Sequence, residues 1–169
     1  GWWRMGAGAA GALSTAAHRM WASATSPQVD SMPEVVYLRL DAESELPQLS
    51  LGSFRALVMI ESEVAALWQN TVSDWLVRSG CLQMMAWGLG CSSWDDSVDW
   101  ANIEQFAYGD IPDESFVLTS WHENQSLQEV MHFCKHFAGH PFAELRSTLL
   151  LHIAHEPREE EICSLYREA

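Results

Sequence analysis

The sequence predicts a three-layer α/β fold: a mostly parallel sheet of four to five strands with flanking helices. Three observations carry it. From residue 32 onward, short apolar and β-branched segments alternate with segments whose apolar residues recur at helical spacing, the pattern of successive βαβ units with right-handed crossovers. One of the strand segments, Phe54–Ile60 (FRALVMI), is a nearly continuous apolar run, as expected for a strand covered on both faces. With 48% hydrophobic and 11% aromatic residues among 169, the chain has the apolar matter for one domain core, which excludes a disordered protein.

The elements follow in order. Val35–Leu40 (VVYLRL) is β-branched and aromatic and reads as the first strand; no helix follows it, which makes it a candidate antiparallel edge. The stretch 41–53 is polar, with Pro47 and Gly52, and reads as a loop. After the strand at Phe54–Ile60, residues Ser62–Ser79 place Val64, Leu67, Trp68, Val72, Trp75 and Leu76 at helical offsets, with Gly80 as C-cap. Leu82–Trp87 is the third strand. Ser93-Trp94-Asp95-Asp96 has the form of a capping box opening a helix to about Tyr108. Phe116–Trp121 is the fourth strand. Ser126-Leu127-Gln128-Glu129 is a second capping box, for a helix stopped by Gly139 and Pro141 whose core face carries Leu127, Val130, Met131, Cys134, Phe137 and Ala138. Thr148–Ala154 is the fifth strand and Arg158–Glu168 the closing helix.

Residues 1–31 form an Ala/Gly/Trp-rich leader ahead of a single α/β domain at 32–169. Ala9–Ala24 has the makings of a helix, with Leu13, Ala16, Ala17, Met20 and Trp21 on one stripe. The triplet Ala22-Ser23-Ala24 resembles a signal cleavage site, yet the Gly- and Ala-rich segment before it lacks the apolar core of a signal peptide. Met32-Pro33 would serve as a natural start, which makes the leader an extension. So apolar a segment is expected to dock on a second copy, giving a homodimer or larger homo-oligomer, the rival expectation being that it folds back on the edge of its own sheet.

Charge and cysteine usage narrow the function. Nine Lys plus Arg face twenty-three Asp plus Glu, a net charge of −14, which disfavours binding to a nucleic-acid backbone. No run of eighteen apolar residues exists, so no membrane span is expected. Cys81, Cys91, Cys134 and Cys163 are scattered in apolar segments without CxxC pairing, as core thiols of a reduced cytoplasmic protein are. No metal and no cofactor is expected from them or from His132, His136 and His140. The first two of these histidines lie opposite the apolar face of their helix, and no HExxH arrangement accompanies them. Gly88-Leu89-Gly90 lacks the remainder of a phosphate cradle, and Asp95 and Asp96 oppose an anion there. A Gly-x-Ser-x-Gly elbow is missing, and the same aspartates oppose a thiolate at Cys91.

The candidate site is positional. Parallel α/β sheets bind ligands at the carboxyl ends of their strands. Those ends read Ile60-Glu61-Ser62, Trp87-Gly88-Leu89, Trp121-His122-Glu123 and Ala154-His155-Glu156. Glu61, Asp95, Asp96, His122 and Glu123, walled by Trp87 and Trp121, would make a cleft fit for acid/base work or for holding a cation. The competing explanation is that Asp95 and Asp96 complement a helix dipole and that His122 and Glu123 are loop polars.

The stretch Gly80–Asn102 (GCLQMMAWGLGCSSWDDSVDWAN), with Phe116–Glu123 (FVLTSWHE), resembles small uncharacterised bacterial proteins carried as integron gene cassettes, over Phe54–Ala154. The resemblance implies a bacterial mobile-element origin and brings no activity and no site residues. Since no complete catalytic motif is present, a non-enzymatic binding or protein-interaction module is the leading expectation, with a protein or small-molecule partner. The alternative is a small-molecule-binding or hydrolytic enzyme using the strand-end cleft. A third reading, an acidic mimic of DNA, would need carboxylates spread over one face.

Overall fold

The computed structural model describes residues 33–169. The expectations for the leader, its helix and its docking lie outside the described residues. Five strands form the sheet: β1 (Glu34–Leu40), β2 (Phe54–Ile60), β3 (Cys81–Gly88), β4 (Leu118–Trp121) and β5 (Ser147–Ile153). Their order is β1-β5-β2-β3-β4 and every pairing is parallel. Among the described residues four helices cover it: α1 (Ala66–Arg78), α2 (Cys91–Gln105), α3 (Leu127–His136) and α4 (Glu159–Glu168). Among the described residues, no helix is long and apolar enough to cross a membrane.

The layers follow from alternation along the strands. Ala56, Val58, Met84, Leu149 and Leu151 meet Trp68, Val72 and Leu76 of α1 and Trp94 and Val98 of α2 on one face. Leu57, Met59, Met85 and Leu150 meet Val130 and Met131 of α3 and Ile162 and Tyr166 of α4 on the other. Crossovers that step from β2 to β3 to β4 lie on the first face. The one returning from β4 to β5 lies on the second, as right-handed connections demand.

β1 is an edge strand, but a parallel one, which corrects the antiparallel option. The connection 41–53 has no helix, yet it performs a helix's task. Leu46, Leu49 and Leu51 pack into the α1-side core as the chain passes over β5 to reach β2. Two indoles of α1 hold it there: Trp68 Nε1 donates to the Ser44 carbonyl at 3.0 Å and Trp75 Nε1 to that of Pro47 at 2.8 Å.

Helix starts differ most from expectation. Ser62–Ala65 is not helical, and α1 begins at Ala66 after an extended Ala65. α2 begins at Cys91 with Gly90, at φ +60°, as N-cap, three residues before Ser93, the N-cap of the expected capping box. Ser93 therefore lies inside the first turn, where its hydroxyl donates back to the Gly90 carbonyl at 2.8 Å. The second box is real: Ser126 Oγ accepts from Glu129 N–H at 3.2 Å, and Glu129 Oε2 accepts from Ser126 N–H at 2.7 Å. The Ser126 N–H and hydroxyl, both donating to Glu129 Oε2, hold its carboxyl below the usual range. Ser126→Ala is expected to cost about 1 kcal/mol by chemical denaturation, whereas Ser93→Ala should stay within about 0.5 kcal/mol. Equal losses would refute this assignment of the caps.

α3 ends at His136, so Phe137 leaves the expected core face and stands 69% exposed. β4 is shorter than expected because Asp113–Ser115 forms a single 3₁₀ turn just before it. The chain's one lysine, Lys135, closes the far end of α4, with Nζ donating to the carbonyls of Tyr166, Arg167 and Ala169.

Candidate functional site

The strand order reverses between β2 and β5, and the crevice outside their carboxyl ends is where such sheets bind ligands. Here a polar cluster fills it. His152 on β5 is fully buried between Arg39 of β1 and Met59 of β2 in the register. Its Nδ1 lies 2.7 Å from the Tyr37 hydroxyl and its Nε2 3.0 Å from Glu61 Oε1. Tyr37 Oη also accepts from the Arg158 backbone N–H at 3.1 Å. With that acceptance the hydroxyl hydrogen is left for Nδ1, so the network assigns the proton of a neutral imidazole to Nε2, donating to Glu61. Arg158 completes the set, with Nη1 on Glu61 and Nε and Nη2 forked onto Glu161 at 2.9 and 2.6 Å. Burial lowers the affinity of His152 for a proton, and Glu61 opposes this. Every ring nitrogen here has a partner, so the cluster acts as a brace tying β1, β2, β5 and the start of α4 together.

The sheet distributes the other expected site residues to different places. Trp87 and His122 do come together, on the α3 face. Gln125 joins them by accepting the Trp87 indole N–H at its carbonyl, 2.8 Å, and placing Oε1 3.0 Å from His122 Nδ1. His122 Nε2 lies 3.1 Å from Ser120 Oγ and the ring packs 5.1 Å from that of Phe133. Glu123 is exposed in the following turn. Glu61 belongs to the brace. Asp95 and Asp96 lie on α2, across the sheet, in its second turn. They are not at its dipole, since the first turn holds no acid.

On that face a different alignment emerges. Asn102, Asp99 and Asp95, at helical spacing on α2, run beside β4. Asn102 accepts the Val117 N–H at 3.0 Å and donates to the Ser115 carbonyl at 3.1 Å; Asp99 accepts the Thr119 hydroxyl at 2.9 Å. Asp95 comes one turn further along, towards Trp121, which alternation sets on the same face as Thr119. Burial raises the Asp99 pKa; the Thr119 bond opposes this, and Asp95 and Asp96 reinforce it. Asp99→Asn keeps the acceptor and removes the crowded charge. It should leave the melting temperature at neutral pH unchanged or higher, and a clear fall would show that the charge itself is needed.

Among the described residues the sheet has two edges, β1 and β4, and β4 is the one that borders the acidic helix α2. His122 N–H donates to the Ala86 carbonyl of β3 at 2.9 Å. In a parallel strand alternate residues turn both backbone groups to one side, so Ser120 also faces β3, while Thr119 and Trp121 present theirs outward. Trp121 and Phe116 are each 49% exposed beside this edge, and His140 Nε2 lies 2.7 Å from the Phe116 carbonyl, bringing the exposed Phe142 near. From Ser79 to Cys134 the sequence contains five Asp and four Glu but no Lys or Arg. That run builds β3, α2, β4 and most of α3, so one half of the domain is uniformly acidic.

Other groups are placed as follows. His132 and His136 are exposed with rings 4.6 Å apart, and among the described residues no group of three or more His, Cys, Asp or Glu is placed to hold a metal ion. All four cysteines are unpaired; burial pushes Cys81 up to about 12 and Cys134 up to about 11. A cleft of about 360 Å³ lies between Ser62, Gln69, Leu89 and Ser93 at the ends of β2 and β3.

Fold and site together define a three-layer, all-parallel α/β domain with a saturated brace at its switch point and an acidic, aromatic open edge. A family model described as "Domain of unknown function (DUF7684)" matches residues 35–169, and the chain belongs to that family. No curated protein and no solved structure matches it. The β4 edge was not legible as a site in the sequence, though the long stretch without a base, with Trp121 and Phe116 near its end, was a usable signal.

Proposed function

We propose that the domain is a protein-interaction module that engages a basic partner through its β3–α2–β4 half. The observation that carries this reading is the 56-residue run from Ser79 to Cys134, without a single Lys or Arg, folded around an open strand edge with exposed Trp121 and Phe116. Complementary potentials steer encounters and suppress wrong partners, and aromatic residues with a polar rim characterise such surfaces. An interaction role rather than a catalytic one is favoured because the ring nitrogens of both His122 and His152 are engaged, and because the residues expected in one strand-end cleft are parted by the sheet. A mobile-element origin, implied by the resemblance to cassette proteins, is compatible with such a module.

The test separates a local surface from net charge. The probe is a fluorescein-labelled peptide of alternating Arg and Val, followed by anisotropy. One variant neutralises exposed acids on the β4 half (Asp96→Asn, Asp113→Asn, Glu114→Gln, Glu123→Gln); a second, of equal net charge, neutralises Glu34, Glu45, Glu156 and Glu160 to Gln. Binding should weaken about tenfold in the first and little in the second. Equal effects would mean that the acids act only as a solvating shell, and would overturn the reading.

A further inference from the structure

We propose that the outer edge of β4 takes a Lys/Arg-rich extended segment of another protein as a sixth strand of the sheet. This rests on the interaction reading above and adds to it the mode of binding and the chemistry of the ligand.

Three features converge on this edge. The first is geometric. Among the described residues β4 closes the strand order with one neighbour, β3, and the backbone groups of Thr119 and Trp121 face away from it. A strand laid alongside would complete both residues, and main-chain pairing of this kind supplies affinity independent of side-chain identity. The second is chemical. Along α2, one carboxylate (Asp99) is bonded to Thr119 and a second (Asp95) lies one turn further towards Trp121; Glu114 precedes the strand and Glu123 follows it. The half-exposed indole of Trp121 and ring of Phe116 add faces on which a guanidinium stacks. The third is what is excluded. Natural proteins protect short edge strands with charge, and the β4 edge of a second copy would bring the same carboxylates against these. A cationic strand meets the opposite sign, so the acids that repel self-pairing select the partner.

The experiment uses the full chain and the Arg–Val peptide, with a Glu–Val peptide of the same length as control. Backbone hydrogen exchange is read residue by residue. The Arg–Val peptide is expected to bind, to lose about tenfold or more in affinity on going from roughly 0.05 to 0.5 M salt, and to slow exchange at the Thr119 and Trp121 amides. Ser120 and His122, already paired to β3, should change little. The Glu–Val peptide should not bind. Asp95→Lys with Glu123→Lys should weaken Arg–Val binding by about tenfold while leaving the exchange of β2 and β5 intact, which verifies folding. Binding without protection at Thr119 and Trp121 would overturn strand addition and leave the interaction reading standing. No binding of the Arg–Val peptide would overturn both. Protection of the two amides without peptide overturns the proposal too. If it grows with protein concentration, a second copy occupies the edge; if it does not, other residues of the chain do.

Discussion

Replacing Gly88 by alanine should destabilise the domain by about 3 kcal/mol or more, a large part of the roughly 5–15 kcal/mol by which such a domain is stable. Gly88 ends β3 at φ +103°, a conformation L side chains rarely adopt. A Cβ there would sit 2.1 Å from the carbonyl oxygen of Ile60 and 3.0 Å from its carbon. That oxygen cannot withdraw, because it accepts the Leu89 N–H at 2.8 Å and belongs to the buried end of β2. The same turn releases the chain into α2, so its failure would also displace the stripe of Asp95, Asp99 and Asn102 along β4. Gly139→Ala is the control. Gly139 lies outside the helices and strands, a Cβ would meet nothing within 4 Å, and the change should stay within about 0.5 kcal/mol. Denaturant midpoints for the two variants decide the matter, and a Gly88→Ala protein as stable as Gly139→Ala would refute the close approach of β2 to the turn.

The layers were legible because burial writes itself into periodicity. The run at Phe54–Ile60 reads as a strand covered on both sides, and it is the middle strand of the sheet. Ser126 and Glu129 announced a helix start that the backbone uses. Ser93 and Asp96 carried the same pattern three residues too late, since Gly90 adopts a left-handed conformation that begins the helix without a side-chain cap. The parallel direction of β1 was hidden because its crossover is a loop, and only the three leucines and two indoles packed on it reveal the function of that segment. Glu61 was legible as a strand-end acid, but its partners are His152 and Arg158, with Tyr37 bonded in turn to His152, all joined only by the fold. A histidine inside the apolar run of β5 was the available sign that something polar had to meet it, because a buried imidazole needs partners. The expected strand-end cleft was parted for a plain reason: residues adjacent in sequence on β4 alternate between the two faces of the sheet, so His122 and Trp121 serve different layers.

The brace should make stability depend on pH in one direction. At its ordinary value of 6.5 an imidazole in the unfolded chain takes up a proton, whereas burial holds His152 neutral in the folded domain to lower pH. Between those two values the unfolded state binds more protons, so stability rises with pH. His152 therefore contributes fully above about pH 6.5, and its contribution falls as the solution is acidified towards the folded-state pKa. Glu61 opposes part of the loss by favouring the charged ring, while Arg158 and Arg39 add to it. His152→Gln should flatten the stability profile below pH 6.5, leaving whatever slope the carboxylates supply. At neutral pH, Tyr37→Phe should cost about 1–3 kcal/mol, since it strips a partner from buried Nδ1 and from the Arg158 backbone N–H at once. Adding His152→Gln to Tyr37→Phe should cost less than the two losses summed, because both act on one hydrogen-bonded unit. If the Tyr37→Phe domain loses nothing, or if wild type and His152→Gln share one profile between pH 5 and 7, the buried imidazole is not held as the network requires.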